Sequence, residues 1–347
     1  MTNLAVKIGN IPLKNPLICG SGEHFIELSG MERALKAGAA AVVIKSTNES
    51  DAAKEQLEKT DYALIDSNFN QLKWDQNPPR DASLFNRSGL HPKPFGEWLD
   101  LAVTADKLAA EHDAYAVASL IPASIDKLID HAKEIERAGI RILEVNVGAP
   151  HGKEAAKGAI LLEQEADHIA EITSKLRAAV DMPLWIKLAG QSPEVPAMAE
   201  AAMNAGADTV TLMGRYMGFI PDLETGEPIL GTHAAIGGAW ALPLTAHHLV
   251  KSREKIGKEY PMMATNGARD GHDIIRFMMS GASAVQMTSA IFTGGYDVIG
   301  KSLNQINQYL NQKNMNASDL IGLAADRVKT YAEQQNKQEY WREFTPD

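Results

Sequence analysis

The chain has 347 residues, 45% of them apolar and 22% charged, which is ordinary for a soluble globular protein and long enough to bury one large core. Thirty-four basic against 44 acidic residues give a formal charge of -10, with no basic stripe, and this argues against nucleic acid as a partner. The start, MTNLAVKIGNIPLKNPL, lacks the features of a secretory signal, and no run of about 18 apolar residues occurs, so a cytoplasmic protein without membrane contact is expected. A single cysteine, Cys19, excludes an internal disulfide, a self-contained four-thiolate iron-sulfur cluster and a Cys-rich zinc site.

In chain order, eight short apolar runs are predicted as strands: Pro16 to Cys19, Ala41 to Lys45, Tyr115 to Leu120, Ile142 to Val147, Leu184 to Leu188, Thr209 to Met213, Met262 to Thr265 and Ala284 to Met287. Most are continuous and β-branched, as strands of a parallel sheet covered on both faces should be. Helical periodicity lies between them at Met31 to Ala37, Ile125 to Ala138, Glu163 to Ala179, Val195 to Ala205, Ala246 to Ile256 and Asp270 to Ser280. Several of these end at glycine, as Gly38, Gly139, Gly206 and Gly281 show, which suits a left-handed C-cap. Eight alternating pairs predict an α/β fold, the (β/α)8 TIM barrel, with function gathered in extended loops at the C-terminal face of the strands. An open doubly wound sheet is the alternative, but the first turn, Cys19-Gly20-Ser21-Gly22-Glu23, lacks the third glycine of a dinucleotide fingerprint.

Three connections exceed ordinary length: Ser46 to about Leu101, Gly148 to Gln164, and Gly214 to Leu242. All follow strand ends and would gather over one mouth, as a lid or a partner surface. Gln71 to Arg80 is expected to be a polar surface excursion. One domain spans the chain, with residues 302–347 as a C-terminal helical cap or tail.

Lys45 and Lys187 each end an apolar strand, where the ammonium faces either solvent or the mouth; two in one register favour a binding role. Asn146, in Glu144-Val145-Asn146-Val147, suits a ligand's carbonyl and ring nitrogens, or else a strand-end turn. Thr265-Asn266-Gly267-Ala268 and Thr288-Ser289-Ala290 follow the seventh and eighth strands, where such barrels often bind phosphate through backbone N–H groups. Each taken singly reads as a capped helix start. His247-His248 lacks metal-ligand spacing, so no metal is expected. His24, His151 and His233 lie on mouth loops and read as surface histidines, with His151 ranked first for proton transfer. Cys19 reads as a small core residue, and Ser21 lacks the partners of a hydrolase triad.

Together these residues resemble the dihydroorotate dehydrogenase family and the flavin domain of dihydropyrimidine dehydrogenase from Ile11 to about Gly300. The ordered series comprises Asn15-Pro16-Leu17 through Ser21-Gly22, Val43-Ile44-Lys45-Ser46, Asn86-Arg87-Ser88-Gly89-Leu90, Glu144 to Gly152, Ile186-Lys187-Leu188, Ile236 to Trp240, Ala264 to Gly267 and Gly281 to Ala290. The resemblance implies FMN. Ser21, Gly22 and Ser46 belong to its flavin-side loops, and Lys45, Asn86, Asn146 and Lys187 would surround the isoalloxazine, with Lys187 near N1 and O2. Gly237, Gly238, Asn266, Gly267, Thr288 and Ser289 would hold the ribityl phosphate, although Asn266 stands for a usual glycine and Thr288-Ser289 for a usual glycine-threonine.

The chemical half departs further. The family's cysteine or serine base corresponds to Ala149, which cannot accept a proton. The asparagine expected after the sixth strand is replaced by the neighbourhood of Gly214 and Arg215. These changes predict an FMN-dependent oxidoreductase acting on a small polar substrate, an acidic cyclic amide or ureide among the options, but not on dihydroorotate. In it, His151 would transfer protons and Arg215 would pair with a carboxylate. The alternatives are flavin-assisted removal of a heteroatom, a flavoprotein electron-relay subunit, and a flavin-free barrel with Lys187 as nucleophile. A homodimer is expected from the resemblance, and an electron-transfer partner is conceivable.

Overall fold

The computed structural model describes residues 3–74, 78–148, 165–214 and 216–346. Eight parallel strands close into a barrel: Leu17–Cys19, Ala41–Val43, Tyr115–Leu120, Leu143–Asn146, Leu184–Lys187, Thr209–Leu212, Met262–Thr265 and Ala284–Met287. Each pairs with its sequence neighbours, and Met287 opposite Cys19 closes the ring. The eight predicted runs are these eight strands, and closure removes the open-sheet alternative. The reason is local: a strand covered on both faces shows no polar alternation, so its apolar run stands out. Leu17, Ile18, Val42, Val43, Trp185, Ile186, Val210 and Val285 are all fully buried.

Helices cover the outside at Leu28–Lys36, Phe95–Glu111, Ile125–Arg137, Ala166–Arg177, Val195–Asn204, Leu242–Ile256 and Gly271–Met279. The expected left-handed caps occur at Gly38 (φ 108°), Gly139 (82°), Gly206 (104°) and Gly281 (116°). An N-terminal hairpin, Val6–Ile8 with Ile11–Leu13, buries Val6, Ile8 and Leu13. Its turn at Gly9 lies beside Asp208, just ahead of the sixth strand, so the hairpin closes the barrel end opposite the mouth.

Two of the three long connections are structured in ways the sequence did not suggest. The first holds Asp61–Ile65, Gln71–Leu72 and Ser83–Arg87, and the third holds Tyr216–Gly218 and Ala234–Gly237. These five segments form one antiparallel sheet, in which Ser83–Arg87 lies between Asp61–Ile65 and Ala234–Gly237. Connections after the second and sixth strands are thus joined into a single roof. Ala63, Ile65, Phe85, Ile220, Ile229 and Ala234 form a separate apolar cluster of the roof, whose strand members alternate with Tyr62, Leu84, Asn86 and Ala235 on the other face. The first connection is also shorter than expected, because a helix already begins at Phe95, with Pro94 as its N-cap. Gln71 and Leu72 are an edge strand of the roof instead of a free excursion. After the eighth strand, Asp297–Lys313 packs Ile299, Ile306 and Leu310 into the main core, and short 3-10 turns follow to Phe344.

Candidate active site

A cavity opens between the C-terminal ends of the barrel strands and the roof. Of the proposed cofactor residues, Ser21, Gly22, Lys45, Ser46, Asn86, Asn146, Lys187, Gly237, Asn266, Gly267, Thr288 and Ser289 line it. Gly238 does not line it. A side chain there would meet the Ser83 hydroxyl at 2.5 Å, so Gly238 serves contact with the roof strand. Ala149, His151 and Arg215 lie outside the described residues.

Both lysines turn into the mouth, and each meets a carboxylate. Lys45 Nζ donates to Glu23 Oε1 at 2.8 Å, from a side chain only 6% exposed. Its backbone carbonyl accepts from the buried Trp98 indole at 3.0 Å, which pins the second strand's end to the helix outside. Burial opposes ionisation of Glu23, but the Lys45 ammonium and hydrogen bonds from Lys45 and the Tyr62 hydroxyl together hold its pKa below the usual range. Asn146 and Lys187 are cross-strand partners on the fourth and fifth strands, so their side chains share one face at one height. Asn146 Oδ1 accepts from the Gly148 N–H at 3.1 Å, which leaves the carboxamide NH2 to donate toward a ligand.

Beneath Lys187 lies a polar group that inspection of the strand ends did not single out. Lys187 Nζ donates to Gln286 Oε1 at 2.7 Å, and Gln286 Nε2 donates to Glu144 Oε2 at 2.5 Å. Glu144 and Gln286 are almost completely buried, and Glu144 Oε1 lies 3.7 Å from the Lys187 ammonium. Period-two alternation could have flagged both. Glu144 shares the inward face of its strand with Asn146, and Gln286 is the only polar residue of its strand.

On the first-strand side, Ser21 Oγ and Ser46 Oγ lie 3.2 Å apart, and Ser46 Oγ lies 2.8 Å from Ser119 Oγ, a hydroxyl chain across three strand ends. An aromatic wall closes the cavity beside the eighth strand, with Tyr62 of the roof tilted against Phe292 at 4.6 Å and Trp74 edge-on to both. Next to these groups, the loops after the seventh and eighth strands supply small residues. Asn266 has φ 65° and Gly267 φ 118°. Asparagine is among the few side-chain-bearing residues that tolerate the left-handed region, so Asn266 keeps a backbone turn that glycine also makes. A Cβ at Gly237 would come within 2.9 Å of Asn266 Oδ1, and one at Gly20 within 2.3 Å of Thr288 Oγ1. Close backbone, two ammonium groups, the carboxamides of Asn86, Asn146 and Asn266 and several hydroxyls form a donor set that fits a flavin phosphate, with room at the glycines for its approach.

His24 corrects an expectation. It keeps partial exposure, but both ring nitrogens are shut away from solvent with no hydrogen-bond partner among the described residues, packed against Phe25 and Phe292. Burial pushes its pKa down to about 4, the neighbouring Glu23 opposing this and Lys45 adding to it. The unfolded chain therefore binds a proton there first. Stability contributed by the neutral ring should be present above pH ~6.5 and lost as pH falls toward 4, by roughly 2–3 kcal/mol. Urea unfolding at pH 7.5 and pH 5 should show that loss in the native chain, and much less of it in His24→Phe; equal losses would remove His24 as the cause. His233 is exposed beside Phe219, as a surface histidine should be. Cys19 is a buried core residue whose thiol pKa is raised by burial.

A closed parallel barrel with lysines, amides and close-approach glycines at its C-terminal mouth defines a cofactor-binding enzyme of the TIM-barrel class. Residues 75–310 match the family described as dihydroorotate dehydrogenase. The chain is 28% identical over 323 residues to the dihydroorotate dehydrogenase B (NAD(+)), catalytic subunit, of Methanocella arvoryzae, covering 92% of this chain and 97% of the relative. It is 25% identical over 295 residues to the dihydroorotate dehydrogenase A (fumarate) of Lactobacillus delbrueckii subsp. bulgaricus, covering 84% and 89%. The chain belongs to the dihydroorotate dehydrogenase family, and it is an oxidoreductase of that flavoprotein class. Among the described residues, no helix is long and apolar enough to cross a membrane.

Proposed function

We propose that this protein binds FMN in the roofed cavity and uses it to oxidise or reduce a small polar cyclic amide or ureide other than dihydroorotate. The observation that carries the reading is the pairing of Asn146 with Lys187 across neighbouring strands, facing the glycine-lined loops after the seventh and eighth strands. When bound, FMN accepts or delivers a hydride at its N5. The chain's own residues do the rest. Gly237, Asn266, Gly267, Thr288 and Ser289 offer backbone donors to the phosphate, Ser21 and Gly22 meet the ring from the first loop, and Lys187 offers positive charge to the ring's pyrimidine edge. Lys45, Asn86 and Asn146 complete the set around the ring, and Glu23 and Tyr62, beside Lys45, remain for the substrate.

Ala149 stands where the family's base belongs, so carbon-bound deprotonation by that residue is unavailable, and reduction of an activated double bond or release of a heteroatom suits the site better. His151, a few residues beyond Asn146, is proposed as the proton donor. Arg215, next in sequence to the cavity residue Gly214, is proposed to pair with a carboxylate where the substrate carries one. Arg215→Ala should then raise KM for an acidic substrate with kcat little changed; an unchanged KM removes Arg215 from the site. Anaerobic dihydroorotate should leave the flavin of the loaded enzyme oxidised, whereas some member of a panel of cyclic amides, ureides and thio-analogues should perturb or bleach it. Prompt bleaching by dihydroorotate would make this an ordinary member of its family.

A further inference from the structure

We propose that Glu144 is a positioning residue for the cofactor: through Gln286 it fixes the direction of the Lys187 ammonium, and its charge damps that ammonium. The pair thereby sets how strongly the site favours reduced over oxidised flavin. The inference rests on the FMN reading above and deepens it.

Gln286 is on the eighth strand and Glu144 on the fourth, which are opposite one another in the ring of eight, so the Gln286–Glu144 hydrogen bond spans the lumen. A carboxylate can only accept, so it forces the Gln286 NH2 toward itself and turns Oε1 to Lys187. That orientation holds Lys187 Nζ at the height of Asn146, on the cavity wall. An amide at residue 144 could still accept from the Gln286 NH2 through its own carbonyl oxygen, so that exchange keeps the bridge and removes the charge, whereas loss of Gln286 itself frees Lys187.

The charge balance points the same way. Glu144 is fully buried and, among the described residues, accepts one hydrogen bond, its second oxygen having no hydrogen-bond partner and facing the ammonium at 3.7 Å. A buried carboxylate so sparsely satisfied is poor stabilising design, because apolar side chains in that layer would serve the core as well or better. Its consequence is electrostatic: an ammonium with a carboxylate behind it delivers less positive charge to a ligand in front. Reduction adds negative charge at the ring's pyrimidine edge, so Lys187 favours the reduced state and Glu144 opposes it.

The test is spectroelectrochemical, on full-length protein loaded with FMN. Glu144→Gln keeps the shape and removes the charge, and the ratio of affinities for reduced and oxidised FMN should rise about tenfold. For a two-electron couple this is an upward shift of about 30 mV. Affinity for sulfite, which adds at flavin N5 and bleaches the band, should rise in parallel. Gln286→Leu keeps the charge and breaks the bridge, letting Lys187 fall toward Glu144, and the ratio should drop; this variant also serves if Glu144→Gln does not fold. A merely structural role moves melting temperature but not the ratio. Ratios within twofold of the native chain in the variants that fold would overturn the inference while leaving the FMN reading intact. Protein that carries no flavin and takes up none would overturn both.

Discussion

Replacing Lys187 with methionine is expected to destabilise the chain by about 3–5 kcal/mol and to slow electron uptake by the bound cofactor by on the order of 100-fold. The stability loss follows from what stays behind. Lys187 is 10% exposed at its side chain, and its removal leaves the fully buried Glu144 carboxylate facing no cation. The kinetic loss has a separate origin, since the ammonium is the charge offered to the ring edge. The two are separable by a double variant. Lys187→Met with Glu144→Leu removes both charges and should recover most of the stability without restoring electron uptake. Urea unfolding and stopped-flow anaerobic reduction by dithionite or by a substrate found in the panel measure the two quantities. Full recovery of both would show that Lys187 acts only as a counter-ion inside the barrel.

Gly267→Ala is expected to weaken FMN retention by on the order of 100-fold, with a modest fall in melting temperature. Gly267 holds φ 118°, outside what a side-chain-bearing residue accepts, and a Cβ there would meet the Leu242 backbone nitrogen at 2.6 Å and its Cα at 2.7 Å. Neither atom can move without shifting the start of the Leu242–Ile256 helix. Local strain of this kind costs about 1–3 kcal/mol and falls on the loop proposed to hold the phosphate. Asn266→Gly next door is the control. Asn266 already occupies the left-handed region at φ 65°, so glycine fits the same backbone and FMN affinity should change little. Equilibrium dialysis with FMN measures both. Equal affinities in native and Gly267→Ala protein would take this loop out of the cofactor site.

The barrel was legible because parallel strands buried on both faces leave unbroken apolar runs, and glycine caps mark where each helix turns back. The roof was not. Its strands are three to five residues long apart from the two-residue edge, and the pairing that joins its two halves spans a long sequence separation, as Phe85 with Ile236. Such pairings leave little local signal. The Phe95–Glu111 helix was not among the predicted helical segments, and the long connection was carried to about Leu101, past the Pro94 that is its N-cap. At the site, Lys45, Lys187 and Asn146 announced themselves as polar residues closing apolar strands. Their counter-charges did not. Glu23 sits in a short 3-10 turn whose direction no periodicity gives, and Glu144 and Gln286 are read only if inward and outward positions are separated along a four-residue strand. His24 was misread because mouth loops usually expose their histidines, whereas this one is packed between Phe25 and Phe292.

One measurement bears most directly on the account: the visible spectrum and flavin content of the purified chain, before and after incubation with FMN. The account predicts a yellow protein with a band near about 450 nm, the cofactor's own absorption, and one FMN released per chain on denaturation. Colourless protein that stays colourless after incubation and dialysis would contradict it.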